Sequence, residues 1–180
     1  MRFILAIILG LPGVAFAAGG NDGGTSTNPP TTTETTANCK GVKVWDKKSK
    51  SCVNPQDTSL DDGTLYKAVR ELAYAGRYDD AQGVLRVMSD QNDDKVLTYW
   101  GFTHRKMGNG DLARVFYLDA IDRNPDNILA RSYMGQGFIE DGDTDAAIAQ
   151  WREIKARGGE GSWAEASLRK AIRTGLTYNY

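Results

Sequence analysis

Beyond Leu60 the apolar residues fall at steps of three and four, and Gly or Pro interrupts them at regular points. That is how amphipathic helices joined by short turns read. Leu65, Ala68, Val69 and Leu72 share one face and predict a helix over about 60–75, opened by a capping box at Ser59-Leu60-Asp61-Asp62. Gly76-Arg77 turns the chain into a second helix, about 78–89, with Ala81, Leu85 and Met88 inward. The scheme recurs over 94–107 and 111–123, turning at Gly108-Asn109-Gly110 and stopping at Asn124-Pro125, because proline cannot continue a helix. A third pair covers 126–140 and 143–157. After a loop, Gly158-Gly159-Glu160-Gly161, a second capping box at Ser162-Trp163-Ala164-Glu165 opens a last helix to about 174, leaving a tail over 175–180.

Upstream the pattern is different. Val42 and Val44 alternate with Lys43 and Trp45, as in a strand, and 46–49 reads as a turn. The two cysteines of the chain, Cys39 and Cys52, bracket this stretch. An isolated two-stranded hairpin is marginal in water, and a disulfide closing a loop of this size stabilises it by about 3 kcal/mol. The expectation is a disulfide hairpin over 39–56. Residues 18–38, AGGNDGGTSTNPPTTTETTAN, hold almost no apolar side chain and read as a disordered linker. Hairpin and helices are therefore expected to fold and melt separately. Residues 1–17 combine Arg2, a short apolar run from Phe3 to Leu11 and the small-residue pattern Ala15-Phe16-Ala17. This is the form of a signal peptide cut after Ala17. The apolar run is too short to cross a bilayer, which takes about 20 residues. The expected mature protein has no transmembrane segment and is periplasmic or secreted, where an oxidising compartment suits the disulfide.

The helices carry a repeat. Gly76, Gly108 and Gly142 recur at the same intervals as Ala81, Ala113, Ala147 and as Leu85, Tyr117, Trp151, a period near 34. The best unit runs from Leu97 to Pro125, with Gly101, Ala113, Tyr117, Ala120 and Pro125 at its signature places. It resembles a tetratricopeptide repeat. The resemblance covers about 62–161 in three units, 62–93, 94–127 and 128–161, with 162–174 as the capping helix. The third unit matches at Gly135, Phe138, Ala147 and Trp151 and departs at Ile154 and Gly159. The first departs at Val69 and Met88, where Gly and Ala are usual. The implied fold is an all-α solenoid of three helix-turn-helix repeats plus a cap. A single unit cannot bury its apolar stripe, whereas stacked units can.

Charge and candidate chemistry narrow the function. The formal net charge is −1, and loss of Arg2 makes it −2, a balance that argues against a nucleic-acid partner. Residues 39–53 nevertheless hold five Lys against one Asp, while 57–94 hold nine acidic residues against four basic ones. The one histidine, His104, lies on the inner face of its helix and reads as a packed residue. No G-x-S-x-G surrounds a serine. Asp141, Asp143 and Asp145 imitate the start of a calcium loop, but Ala146 and Arg152 stand where Gly and Glu are needed. GGEGS lacks the preceding strand and the Gly-Lys-Ser/Thr ending of a phosphate loop. These readings point to no catalytic residue, metal or cofactor.

Binding is left. The resemblance implies a concave groove lined by the first helix of each pair. Arg70, Phe102 and Gln136 form one row there, and Tyr66, Thr98 and Ser132 another, with Tyr99, Tyr133 and Arg105 beside them. Tyr, Phe and Arg are what protein interfaces favour. The expected function is a protein–protein scaffold or adaptor of the cell envelope that takes a peptide or helix in this groove. An accessory domain of an enzyme complex is a variant of it. The alternative is an envelope-polymer binder, touching peptidoglycan or anionic lipid through Lys43, Lys47, Lys48 and Lys50.

Overall fold

The computed structural model describes residues 27–56 and 60–177. Residues 1–17, read as a signal peptide, lie outside them, as do 18–26 and Ser59 of the expected first capping box. Three helix pairs stack in order: α2 (Asp62–Tyr74) with α3 (Tyr78–Leu85), α4 (Asp94–Lys106) with α5 (Gly110–Arg123), and α6 (Ile128–Glu140) with α7 (Thr144–Ala156). The last helix, α8 (Trp163–Thr174), packs on α6 and α7. Upstream stand a one-turn helix, α1 (Glu34–Asn38), and an antiparallel hairpin of β1 (Val44–Asp46) and β2 (Ser51–Val53). The fold is thus helical and solenoid-like, headed by a hairpin that the Cys39–Cys52 disulfide closes.

The glycine turns explain the period. Gly76, Gly108 and Gly142 adopt φ of +75°, +84° and +82°, a region that costs a side-chain-bearing residue energy. The residue after each donates its N–H back to the carbonyl five positions earlier: Arg77 to Leu72, Asn109 to His104 and Asp143 to Phe138. This is a Schellman stop, which ends one helix and aims the next. Asp61 caps α2 by accepting from the Thr64 N–H, and Ser162 caps α8 by accepting from the Glu165 N–H. The Glu165 carboxylate accepts from Trp151 Nε1 at 2.7 Å instead of reaching back to its own cap. Helix α3 ends four residues before the expected Ser89. The Asp62 carboxylate accepts from the Ser89 N–H at 3.2 Å and gathers residues 86–89 into tight turns against the start of α2.

Within the central pair, Gly101 sits under the Tyr117 ring, and a β-carbon there would stand 2.5 Å from its Cε1. That is the close helix approach which the signature residues anticipated. Gly135 makes the same room for Leu168 of α8 rather than for Trp151.

The N-terminal modules correct the sequence expectation. Residues 27–38 are an ordered arm, not a disordered linker. The buried Glu71 carboxylate on α2 accepts from the Thr33 and Thr36 N–H groups and from both threonine hydroxyls, at 2.5–3.1 Å. Thr35 in turn accepts from the Trp45 N–H at 3.2 Å, tying the arm to the hairpin. The hairpin docks as well: Val44 is buried in the main helical core, and Val42 fills the space over Gly83 of α3. Arg77 donates from Nη1 to the Cys39 carbonyl at 3.0 Å and from Nη2 to the Gly41 carbonyl at 2.7 Å. Polar groups do most of this attachment, so a search for apolar side chains misses it.

Candidate functional site

The residues expected to line an open groove form the seam between successive helices. Arg70 donates from Nε to the Tyr99 hydroxyl at 3.3 Å. Phe102 packs on Tyr133 with ring centres 4.8 Å apart. Gln136 donates to the Ser167 hydroxyl at 3.1 Å. Each member of the row therefore grips the first helix of the following unit, or the cap that replaces it. The second row does the same. Tyr66 meets Tyr99 edge-on at 5.7 Å, Thr98 accepts from Asn127 Nδ2 at 2.9 Å, and Ser132 donates to the Ala164 carbonyl at 2.7 Å.

Tyr99, Phe102, Tyr133, Ser132 and Gln136 are fully buried, Thr98, Arg70 and Arg105 nearly so, and only Tyr66 is half-buried. The expectation that Phe102 and Arg70 present an exposed binding row is corrected. Large aromatics on consecutive helices converge here: Tyr74 stacks on Phe102 at 5.8 Å, its hydroxyl hydrogen-bonds that of Tyr133 at 2.6 Å, and Trp163 lies beside both tyrosines. Burial drives the Tyr66 and Tyr99 pKa values upward, against the pull of the Arg70 charge. The Arg70 guanidinium also holds the Asn28 carbonyl of the arm.

Two surfaces lie outside this seam. The hairpin turn presents Lys40, Lys43, Lys47, Lys48 and Lys50 to solvent, while its apolar Val44 faces inward. Asp46 organises the turn by accepting from the Lys48 and Ser49 N–H groups at 2.9 and 3.1 Å, which holds its carboxyl below the usual carboxylate range. The other surface is the outer side of α5, where Leu112, Val115 and Leu118 are 44, 53 and 52 % exposed.

His104 packs against both Trp100 and Phe116, at 5.9 and 5.5 Å, which also contact each other at 5.9 Å, and desolvation lowers its pKa. Asp143 caps α7 through the Ala146 N–H, and Asp141 pairs with Arg114 at 2.7 Å. Among the described residues no group of three or more His, Cys, Asp or Glu is placed to hold a metal ion. No helix among them is long and apolar enough to cross a membrane.

A third feature went unnoticed in the sequence. The Arg105 side chain is only 2 % exposed, and its Nη1 donates to Glu140 Oε1 at 2.5 Å. Gly137 leaves room for its stem, which passes 3.2 Å from where a β-carbon would stand. The guanidinium and the nearby Tyr117 hydroxyl are buried against one another, and each acts on the other's ionisation. Burial pushes Tyr117 up to about 12, while desolvation and the Arg105 charge bring Lys106 down to about 8. No family model, curated protein or solved structure matches the chain.

Proposed function

We propose that this chain is an exported, non-catalytic interaction protein of the tetratricopeptide type, serving as a scaffold or adaptor for another protein of the cell envelope. The observation that carries this reading is the α5 surface. Leu112, Val115 and Leu118 stand in a line on the second helix of the central pair, about half exposed. Grouped large aliphatics on a surface mark contact sites. Asp111, Asp119 and Asp122 around them favour a partner with basic residues at the rim. The contact surface is thus the outer side of the solenoid, since the inner row is consumed by stacking. The disulfide among the described residues and the leader-like pattern of residues 1–17 support export to the periplasm or beyond.

A photo-crosslinker at Val115, in living cells, tests this. Adducts with one envelope protein are expected from Val115 and not from Lys67, exposed on α2. They should vanish in a Leu112→Asp, Leu118→Asp variant of unchanged melting temperature. Equal adducts from both positions, or none from either, would sink the proposal.

The second reading, binding of an anionic envelope polymer, is favoured by the hairpin. Docking turns its apolar side inward and leaves five lysines outward. Co-sedimentation with isolated cell wall or anionic vesicles should then fall with added salt. It should also fall when Lys43, Lys47, Lys48 and Lys50 are replaced by Gln.

A further inference from the structure

Two rows of side chains cross on the outer side of α5. Leu112, Val115 and Leu118 step by three residues and rise about 9 Å along the axis. Asp111, Val115 and Asp119 step by four, and Asp122 extends the acidic row toward the end of the helix. The rows meet at Val115, so carboxylates about 12 Å apart flank the apolar ridge at opposite corners. All six residues are exposed, and none of the three aspartates enters an ion pair among the described residues.

The first repeat shows how this side of a second helix is covered within the chain. Gly83 of α3 stands one period before Val115, and Val42 of the hairpin lies over it. Arg77 completes the grip through the Cys39 and Gly41 carbonyls. On α5 both devices are replaced: Val115 protrudes where the glycine is bare, and Asn109 takes the place of Arg77. The hairpin of a second copy therefore does not fit there. Nor does a second α5. With Val115 against Val115 in an antiparallel pair, Asp111 of each copy faces Asp119 of the other, and a parallel pair sets each aspartate against itself. A ridge at three-residue steps is the shape that enters the groove between side-chain rows of another helix.

We propose, on the basis of the α5 contact surface put forward above, that its occupant is a basic amphipathic helix of a different protein. That helix sets a small residue over Val115 and aliphatic side chains around Leu112 and Leu118. It places Lys or Arg about two turns apart, against Asp111 and Asp119.

The probe is a synthetic helical peptide of Leu, Ala and Lys, about 18 residues long, with Leu on one face and Lys beside it. Its binding to the intact protein is followed by the methyl resonances of Leu112, Val115 and Leu118. A peptide of the same composition with Leu spread round the helix, and one with Glu in place of Lys, are the controls. Saturable shifts centred on α5 are expected with the first peptide and with neither control. Asp111→Asn combined with Asp119→Asn should weaken binding about tenfold at low salt, the share of two surface ion pairs, and much less at high salt. Leu112→Ser combined with Leu118→Ser should weaken it about tenfold or more at either salt. All four positions are exposed, so both variants should keep the parent's thermal midpoint. The proposal is overturned by absence of saturable shifts, by shifts spread over the whole acidic surface, by equal binding of a control peptide, or by undiminished binding in either folded variant. Broadening of the same methyls without peptide, together with a dimer in sedimentation, would give the face to a second copy and overturn it too. Val115 adducts in cells with a failed peptide titration would keep the contact surface and remove the helix. Peptide binding without such adducts would sink the envelope scaffold and leave the helix-binding face standing.

Discussion

Gly83 lies so close beneath Val42 that a β-carbon on the glycine would stand 2.2 Å from the valine Cγ1. Hairpin and helix α3 therefore fit at this one point only because the glycine is bare. Gly83→Ala should destabilise the protein by about 1–3 kcal/mol, as overpacking does. In a helix free of this contact, the same change would stabilise by up to about 1 kcal/mol. Val42→Ala should restore that ordinary sign. Chemical denaturation of the two single variants and the double variant measures the coupling. Additive effects would show that the hairpin does not dock here.

Glu71 ties the arm down with one carboxylate facing four donors. Glu71→Ala should cost about 2 kcal/mol or more, since hydrogen bonds to a charged group are lost together. It should also release the arm. Hydrogen exchange at the Thr36 and Ala37 amides should accelerate strongly, while exchange at Tyr99 in the seam stays slow.

Phe102 is a stability residue. Truncation to Ala should cost about 3–5 kcal/mol, the range for a buried aromatic. A thermal midpoint that barely moves would return Phe102 to the surface.

Lys50 closes the hairpin turn at φ +52°, where a non-glycine residue is held at a cost of roughly 1–2 kcal/mol. Asn tolerates this region better, and Lys50→Asn should stabilise by several tenths of a kcal/mol, read as a shift in denaturant midpoint.

Lys106 gives a signed pH dependence. Its folded pKa, about 8, lies below the ordinary lysine value of 10.5. The unfolded chain therefore holds that proton more tightly, and the penalty of burying the charge is fully present below pH 8. It is relieved as pH rises from about 8 toward 10.5, so this residue makes stability rise across that window. Tyr117, raised to about 12, acts in the opposite sense, lowering stability as pH climbs from about 10 to 12. Between pH 8 and 10, Lys106→Gln should have a less positive slope of unfolding free energy than the parent. Parallel slopes would contradict the burial argument.

The helices and turns were legible because their signals are local. Gly76, Gly108 and Gly142 announce a backbone conformation that few other residues adopt, and Ser162 sits at the start of its helix as a cap should. The cysteine pair had one possible connectivity, and it forms. What the sequence withheld was which neighbour a repeated position faces. Arg70, Phe102 and Gln136 recur at one-unit intervals whether they line a groove or a seam, because both surfaces share the period. The arm was missed because its anchors, Thr33 and Thr36, are polar and their acceptor, Glu71, lies more than thirty residues away. Arg105 read as one more cation of the groove, and nothing in its neighbours along the chain announced that its guanidinium would be buried against Glu140 and Tyr117.

The Arg77 clasp on the Cys39 and Gly41 carbonyls bears on oxidative folding. Short helix pairs assemble from contacts close in sequence and form in microseconds to milliseconds, whereas protein disulfides take seconds to hours. The helices are thus in place before the thiols react, and α3 with its arginine serves as a template on which the hairpin is laid down. Held there, the two sulfurs meet at a raised effective molarity, and closure becomes the last step of maturation rather than the first. Slower oxidation of the reduced Arg77→Ala protein in a glutathione buffer would be the kinetic signature of that order of events.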